Sequence, residues 1–113
     1  MDRDELVSGF ILELRRGTVV LCVLAELKEP TYGYNLITRL SETGIAIEAN
    51  TLYPLLRRLE TQGLLESQWN TEGAKPRKYY QTTAVGKEVL ADLTTHWRGI
   101  VNSLESLLRG EER

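Results

Sequence analysis

The sequence predicts a mainly α-helical fold carrying one small β-hairpin, on three observations. Apolar residues recur at helical spacing in four segments. Breaks fall at Pro30, Gly44, Gly63 and Gly73. Two short strand-like runs flank a loop from Asn70 to Pro76 that contains both glycine and proline. The chain has 113 residues, which fits one core. With 42% hydrophobic and 27% charged residues it has the balance of a globular protein rather than a disordered one. The longest apolar run, Val19 to Ala25, falls well short of the ~18 residues of a membrane span. No basic stretch leads into an apolar run and a small-residue cleavage site, so a cytoplasmic protein is expected.

The first helical stretch runs from about Glu5 to Leu27, with Leu6, Val7, Phe10, Ile11 and Leu14 on one face. Gly17 can divide it in two, since glycine costs ~1 kcal/mol inside a helix. The part after Gly17 is apolar nearly all round, the pattern of a central helix, and Glu29-Pro30 closes it. Thr31 is expected to cap a helix from about Tyr32 to Glu42, with Tyr34, Ile37 and Leu40 inward. Asn50 or Thr51 caps the next, which ends at Gln62-Gly63; Thr51 places Pro54 better in the first turn. Its stripe is Leu52, Leu55, Leu56 and Leu59, at i, i+3, i+4 and i+7. Leu64 to Trp69 and Arg77 to Thr82 read as the hairpin strands. Thr82 or Thr83 then caps a long helix from Ala84 to Leu108, and the tail from Gly110 to Arg113 is expected to fray.

Helix, turn, helix and hairpin in that order make a winged helix-turn-helix. The expected division is residues 1–83 for the N-terminal helix and winged helix-turn-helix, and 84–113 for a C-terminal dimerisation helix. Along that last helix, Leu90, Leu93, Trp97, Ile100, Leu104 and Leu107 alternate three and four residues apart, a heptad seam suited to a homodimer.

The net charge is -2, yet the charge is unevenly spread. Between Ala49 and Gln81 the bases Arg57, Arg58, Lys75, Arg77 and Lys78 outnumber Glu60, Glu66 and Glu72, while the remainder of the chain is acidic. Duplex DNA needs a local positive face rather than a basic average. Burying the leucine stripe turns Asn50, Thr51, Tyr53, Pro54, Arg57 and Arg58 toward solvent, and the helix N-terminus adds partial positive charge. Such groups read base edges and phosphates in a major groove ~12 Å wide. Lys75, Arg77 and Lys78 place further charge on the wing. Singly, each of these features is ordinary surface chemistry; their order along the chain is what points to double-stranded DNA.

These residues carry a resemblance to a known family. Arg16-Gly17-Thr18, Pro30-Thr31-Tyr32-Gly33-Tyr34 with Leu36, the block Thr51 to Glu60 with Gly63-Leu64-Leu65, and Gly73 to Tyr80 with Thr83 and Gly86 resemble the PadR transcriptional regulators, in particular short members with one C-terminal helix. The resemblance spans about Leu14 to Leu107. Asn50 and Ala74 stand where that family often has glycine, which bears on operator preference and wing flexibility. It implies a homodimer on a palindromic operator, usually a repressor, joined mainly through the C-terminal helix with help from the N-terminal one. Some short members stack flat aromatic ligands on a tryptophan in that helix, a role that Trp97 would take here; filling the interface is its plainer role.

Other chemistry has little support. Cys22, the one cysteine, lies in an apolar run and is expected to pack as a small hydrophobe. His96, the one histidine, lacks partners at ligand or triad spacing and is expected in solvent; Trp69 is expected to pack at the strand end or its rim. No paired carboxylates or phosphate-binding glycine loop appear, so neither an enzyme nor a cofactor is expected. The competing reading is a winged helix that binds protein rather than DNA, which the acidic overall charge permits and the basic strip at 75–78 opposes.

Overall fold

The computed structural model describes residues 2–110. Five helices and a three-stranded antiparallel sheet follow the order α1 (Arg3–Arg16), α2 (Val19–Glu26), β1 (Thr31–Tyr32), α3 (Gly33–Glu42), α4 (Ala49–Thr61), β2 (Leu65–Asn70), β3 (Arg77–Thr82) and α5 (Ala84–Arg109). Gly110 closes α5 with a φ of 72°, and residues 111–113 of the expected frayed tail lie outside the described residues.

The division at Gly17 leaves two helices of different character. In α1 the Asp2 carboxylate accepts from the Glu5 amide at 2.8 Å, acids occupy the first turn, and Arg15 and Arg16 the last, all favourable to the helix dipole. Nothing in α1 is buried, however: Leu6, Val7, Phe10, Ile11, Leu12 and Leu14 are all exposed. Its apolar face is real but is left largely uncovered by the rest of the chain. The second helix is the central one, with Val23, Leu24 and Leu27 fully buried beside Leu36, Leu40, Leu52, Leu56, Leu59, Leu65, Tyr80 and Leu90.

Three expectations need correction. Thr31 and Tyr32 are a short strand rather than a cap and a first helical residue. They pair with Tyr80 and Tyr79, so β3 is the middle strand of the order β1-β3-β2. A two-residue strand carries no periodic signal, and only the partner edge of β3 specifies it. Next, α4 begins at Ala49 with Glu48 at the N-cap and no side-chain cap bond, so Asn50 and Thr51 are already helical. Pro54 therefore falls in the second turn, where its ring leaves the carbonyl of Asn50 without the usual amide. Thirdly, Tyr34 is exposed; α3 buries Gly33, Leu36 and Leu40 instead.

The corner between β3 and α5 joins most of the fold. The Thr82 amide donates to the Leu27 carbonyl at 2.7 Å and its hydroxyl to the Leu24 carbonyl at 2.9 Å, which ties the strand end to α2. The Thr83 amide donates to the Leu64 carbonyl at 3.0 Å, and its hydroxyl donates to the Gly63 carbonyl at 2.7 Å while accepting from the Gly86 amide. So Thr83, not Thr82, caps α5. Gly86 lies so close to this junction that a Cβ there would be 2.2 Å from the Leu64 carbonyl oxygen and 2.6 Å from Thr82 Cγ2. Glycine to alanine inside a helix ordinarily gains ~1 kcal/mol. At Gly86 the sign should reverse, with a net loss of about 1–3 kcal/mol or more from the forced backbone shift. Urea melts of Gly86→Ala against the wild type measure this, and an unchanged midpoint would contradict the crowding.

Candidate nucleic-acid interface

Helix α4 builds the site by elimination. Leu52, Leu56 and Leu59 are buried and Leu55 is half-buried, so the opposite side of the helix must face out. Asn50, Thr51, Pro54, Arg57 and Arg58 are all exposed. Tyr53, expected among them, is half-buried at the α3 edge, where a Cβ on Gly33 would come within 3.0 Å of its ring. Glycine at 33 thus makes room for the tyrosine, and only part of the Tyr53 ring is open to a ligand. On the other edge, Thr51, Pro54 and Arg58 line a cleft of about 370 Å³ with Arg16, Val19 and Val20.

Three cations of this region, Arg57, Arg58 and Lys75, make no ion pair among the described residues. Glu60, about one turn along α4 from Arg57, is taken by the wing. Its Oε1 lies 3.8 Å from Lys78 Nζ and its Oε2 accepts from the Ser67 hydroxyl. With both partners about one-third exposed, the ion pair is worth ~1 kcal/mol or less. Lys78 also sits 5.4 Å from the Tyr80 ring and 5.9 Å from that of Trp69, so it is half-buried while Lys75 and Arg77 are exposed. Trp69 itself is 62% exposed and belongs to the rim.

Arg77 has a different setting. Its guanidinium donates to the Tyr34 hydroxyl at 2.7 Å and lies 4.9 Å from the centre of the Tyr32 ring. Neither tyrosine stands out in the sequence as part of a site, because both read as helix residues; the pairing of β1 with β3 is what brings them to the wing. Arg16, which the sequence places only beside Gly17, comes to the same region as a neighbour of Thr51 and Arg58.

The seam of α5 splits in two. Leu90 is 8% exposed and packs in the chain's own core, because α5 lies against α2 there. It is therefore not part of any exposed seam. Leu93, Trp97, Ile100, Leu104 and Leu107 remain exposed along the free part of the helix. Trp97 borders a cavity of about 380 Å³ with Thr18, Leu21, Cys22, Ala25, Ile45, Leu90 and Thr94. Among the described residues no group of acids, histidine and cysteine could hold a metal ion, and no helix is long and apolar enough to cross a membrane.

Cys22 is only half-buried at this cavity wall, less enclosed than its apolar surroundings suggested. Burial pushes its thiol up from the ordinary value, against a smaller opposing effect of a backbone hydrogen bond. A raised value leaves less thiolate at neutral pH, so alkylation by iodoacetamide should be slower than for free cysteine and should accelerate only at higher pH. A rate-pH profile with its midpoint at or below that of free cysteine would refute this.

The buried α4 stripe, the hairpin behind it and the pinned α5 define a winged-helix protein of the transcription-regulator class. The PadR-like family of transcriptional regulators matches residues 20–92, and the chain belongs to that family. A crystal structure of a PadR family regulator from Eggerthella lenta is 54% identical and superposes with a TM-score of 0.89, covering 93% of this chain and 94% of that one. A PadR-like regulator from Bacillus cereus is 30% identical with a TM-score of 0.78 over 88% of this chain and 99% of that one. A transcriptional regulator from Mycobacterium tuberculosis is 33% identical over 71% of this chain and 76% of its own length.

Proposed function

We propose that this regulator binds operator DNA as a homodimer and represses transcription. The observation that carries the reading is the outward side of α4, where Arg57 and Arg58 stand exposed without an ion pair among the described residues. A chain with more acids than bases has every opportunity to neutralise those arginines internally, and it leaves them open. Residues 1–83 serve DNA binding, through Asn50, Thr51, Tyr53, Pro54 and Arg57 toward bases and Arg58, Lys75 and Arg77 toward phosphates. Lys78 is left out of this set by its pairing with Glu60. Residues 84–113 serve pairing of two copies.

Two apolar faces support the dimer. The exposed part of the α5 seam and the whole of α1 leave large side chains in water, and patches of that kind ordinarily meet a partner. A two-fold pair presents two recognition helices to one inverted repeat.

The test is selection of duplexes from a random pool, followed by binding to the enriched duplex across a salt series. Affinity should fall steeply with salt. Arg57→Ala should weaken the enriched duplex by about ten-fold or more and blunt sequence preference. Ile100→Glu should convert the dimer to a monomer in sedimentation and weaken operator binding by a larger factor. Binding that ignores salt, or a pool that never enriches, would remove the DNA reading and favour a protein-binding winged helix.

A small planar aromatic ligand at Trp97 is the effector this reading allows, since the cavity beside it is largely apolar. A flat dye should quench tryptophan fluorescence in the wild type and in Trp69→Phe, lose that effect in Trp97→Phe, and release the enriched duplex. Equal quenching in both single variants would place the dye elsewhere.

A further inference from the structure

Arg77 and Lys78 are adjacent in β3, and the alternation of a strand sends them to opposite faces of the sheet. The two faces treat them differently. On one, Arg77 Nη1 donates to the Tyr34 hydroxyl at 2.7 Å, and the guanidinium lies 4.9 Å from the Tyr32 ring centre. That ring is itself held in place. It stacks on Tyr34 with centroids 6.1 Å apart, meets the edge of Tyr79 at 5.9 Å, and its hydroxyl accepts from Asn70 Nδ2 at 2.7 Å. Tyr79 is fixed in turn by donating to Gln68 Oε1. Arg77 remains exposed, and four of its five N–H donors are free of the Tyr34 bond. On the other face, Glu60 holds Lys78 by charge and is itself anchored by the Ser67 hydroxyl.

We propose that the wing sorts its two neighbouring cations: Tyr34, with Tyr32, positions Arg77 to meet DNA, and Glu60 withholds Lys78 from it. A guanidinium fixed in advance loses less rotamer freedom on reaching a phosphate or a minor groove than a free one. An ammonium already neutralised displaces few counterions when DNA arrives. Tyr34 is therefore a positioning residue, and Glu60 sets how many charges the wing presents. This rests on the DNA-binding reading above.

The experiment is a salt series on the enriched duplex, with thermal melts to confirm that each variant is folded. Arg77→Ala should lower the slope of log affinity against log salt by about one, and Lys78→Ala should leave it nearly unchanged. Glu60→Gln keeps an acceptor for Ser67 while releasing Lys78, so it should steepen the slope by about one, and Lys78→Ala in that background should abolish the gain. Tyr34→Phe should weaken binding by about fivefold, the order of the cost of immobilising one long side chain on binding, and should have no effect when Arg77 is already alanine. A Tyr34→Phe loss that persists without Arg77, or a Lys78→Ala slope change equal to that of Arg77→Ala, overturns the proposal while leaving DNA binding intact. Wild-type protein that binds no duplex overturns both.

Discussion

Five hydrogen bonds at residues 82, 83 and 86 decide where the parts of this protein stand. Through them one corner touches the end of α2, the end of α4, the middle strand and the start of α5. Backbone groups at helix ends have no partners of their own, and leaving them buried and unpaired would cost free energy. Here the threonine hydroxyls and amides supply those partners to the carbonyls of Leu24, Leu27, Gly63 and Leu64. Gly86 is the steric counterpart, since only a residue without a side chain lets α5 approach the Leu64 carbonyl so closely. The α4 helix, the hairpin and the long helix thus share a single anchorage.

Around it, every helix but α1 has a side committed to the core and a side left over. The leftover sides differ in chemistry: polar and cationic on α4, apolar on α1 and on the free length of α5. A small chain has too little interior to absorb all its apolar residues. What distinguishes α1 is that it absorbs none of them, so its helix is held by capping and dipole chemistry at its ends and by whatever its apolar face meets.

Much of this was legible in the residues. The leucine stripe of α4, the break at Gly17, the hairpin and a long helix capped by Thr82 or Thr83 all follow from periodicity and punctuation, which are local properties. What escaped was non-local. The strand at Thr31–Tyr32 exists only because β3 offers an edge, and that pairing redirects Tyr34 outward and places Tyr32 beneath Arg77. Leu90 fits the heptad perfectly well, yet α2 claims it first. Glu60 and Lys78 are 18 positions apart, and no pattern in one dimension reveals that they meet. Asn50 and Thr51 are good caps by residue type, yet the N-cap of α4 lies two and three residues before them, at Glu48, without a side-chain bond.

The unbroken length of α5 has a mechanical meaning. At 1.5 Å per residue its 26 residues extend about 39 Å, so a tilt of about five degrees displaces the far end by roughly 3 Å. The near end is packed closely at Gly86 against the Leu64 carbonyl. On the function proposed above, a wedge at Trp97 would swing the helix about that end like a stiff tiller.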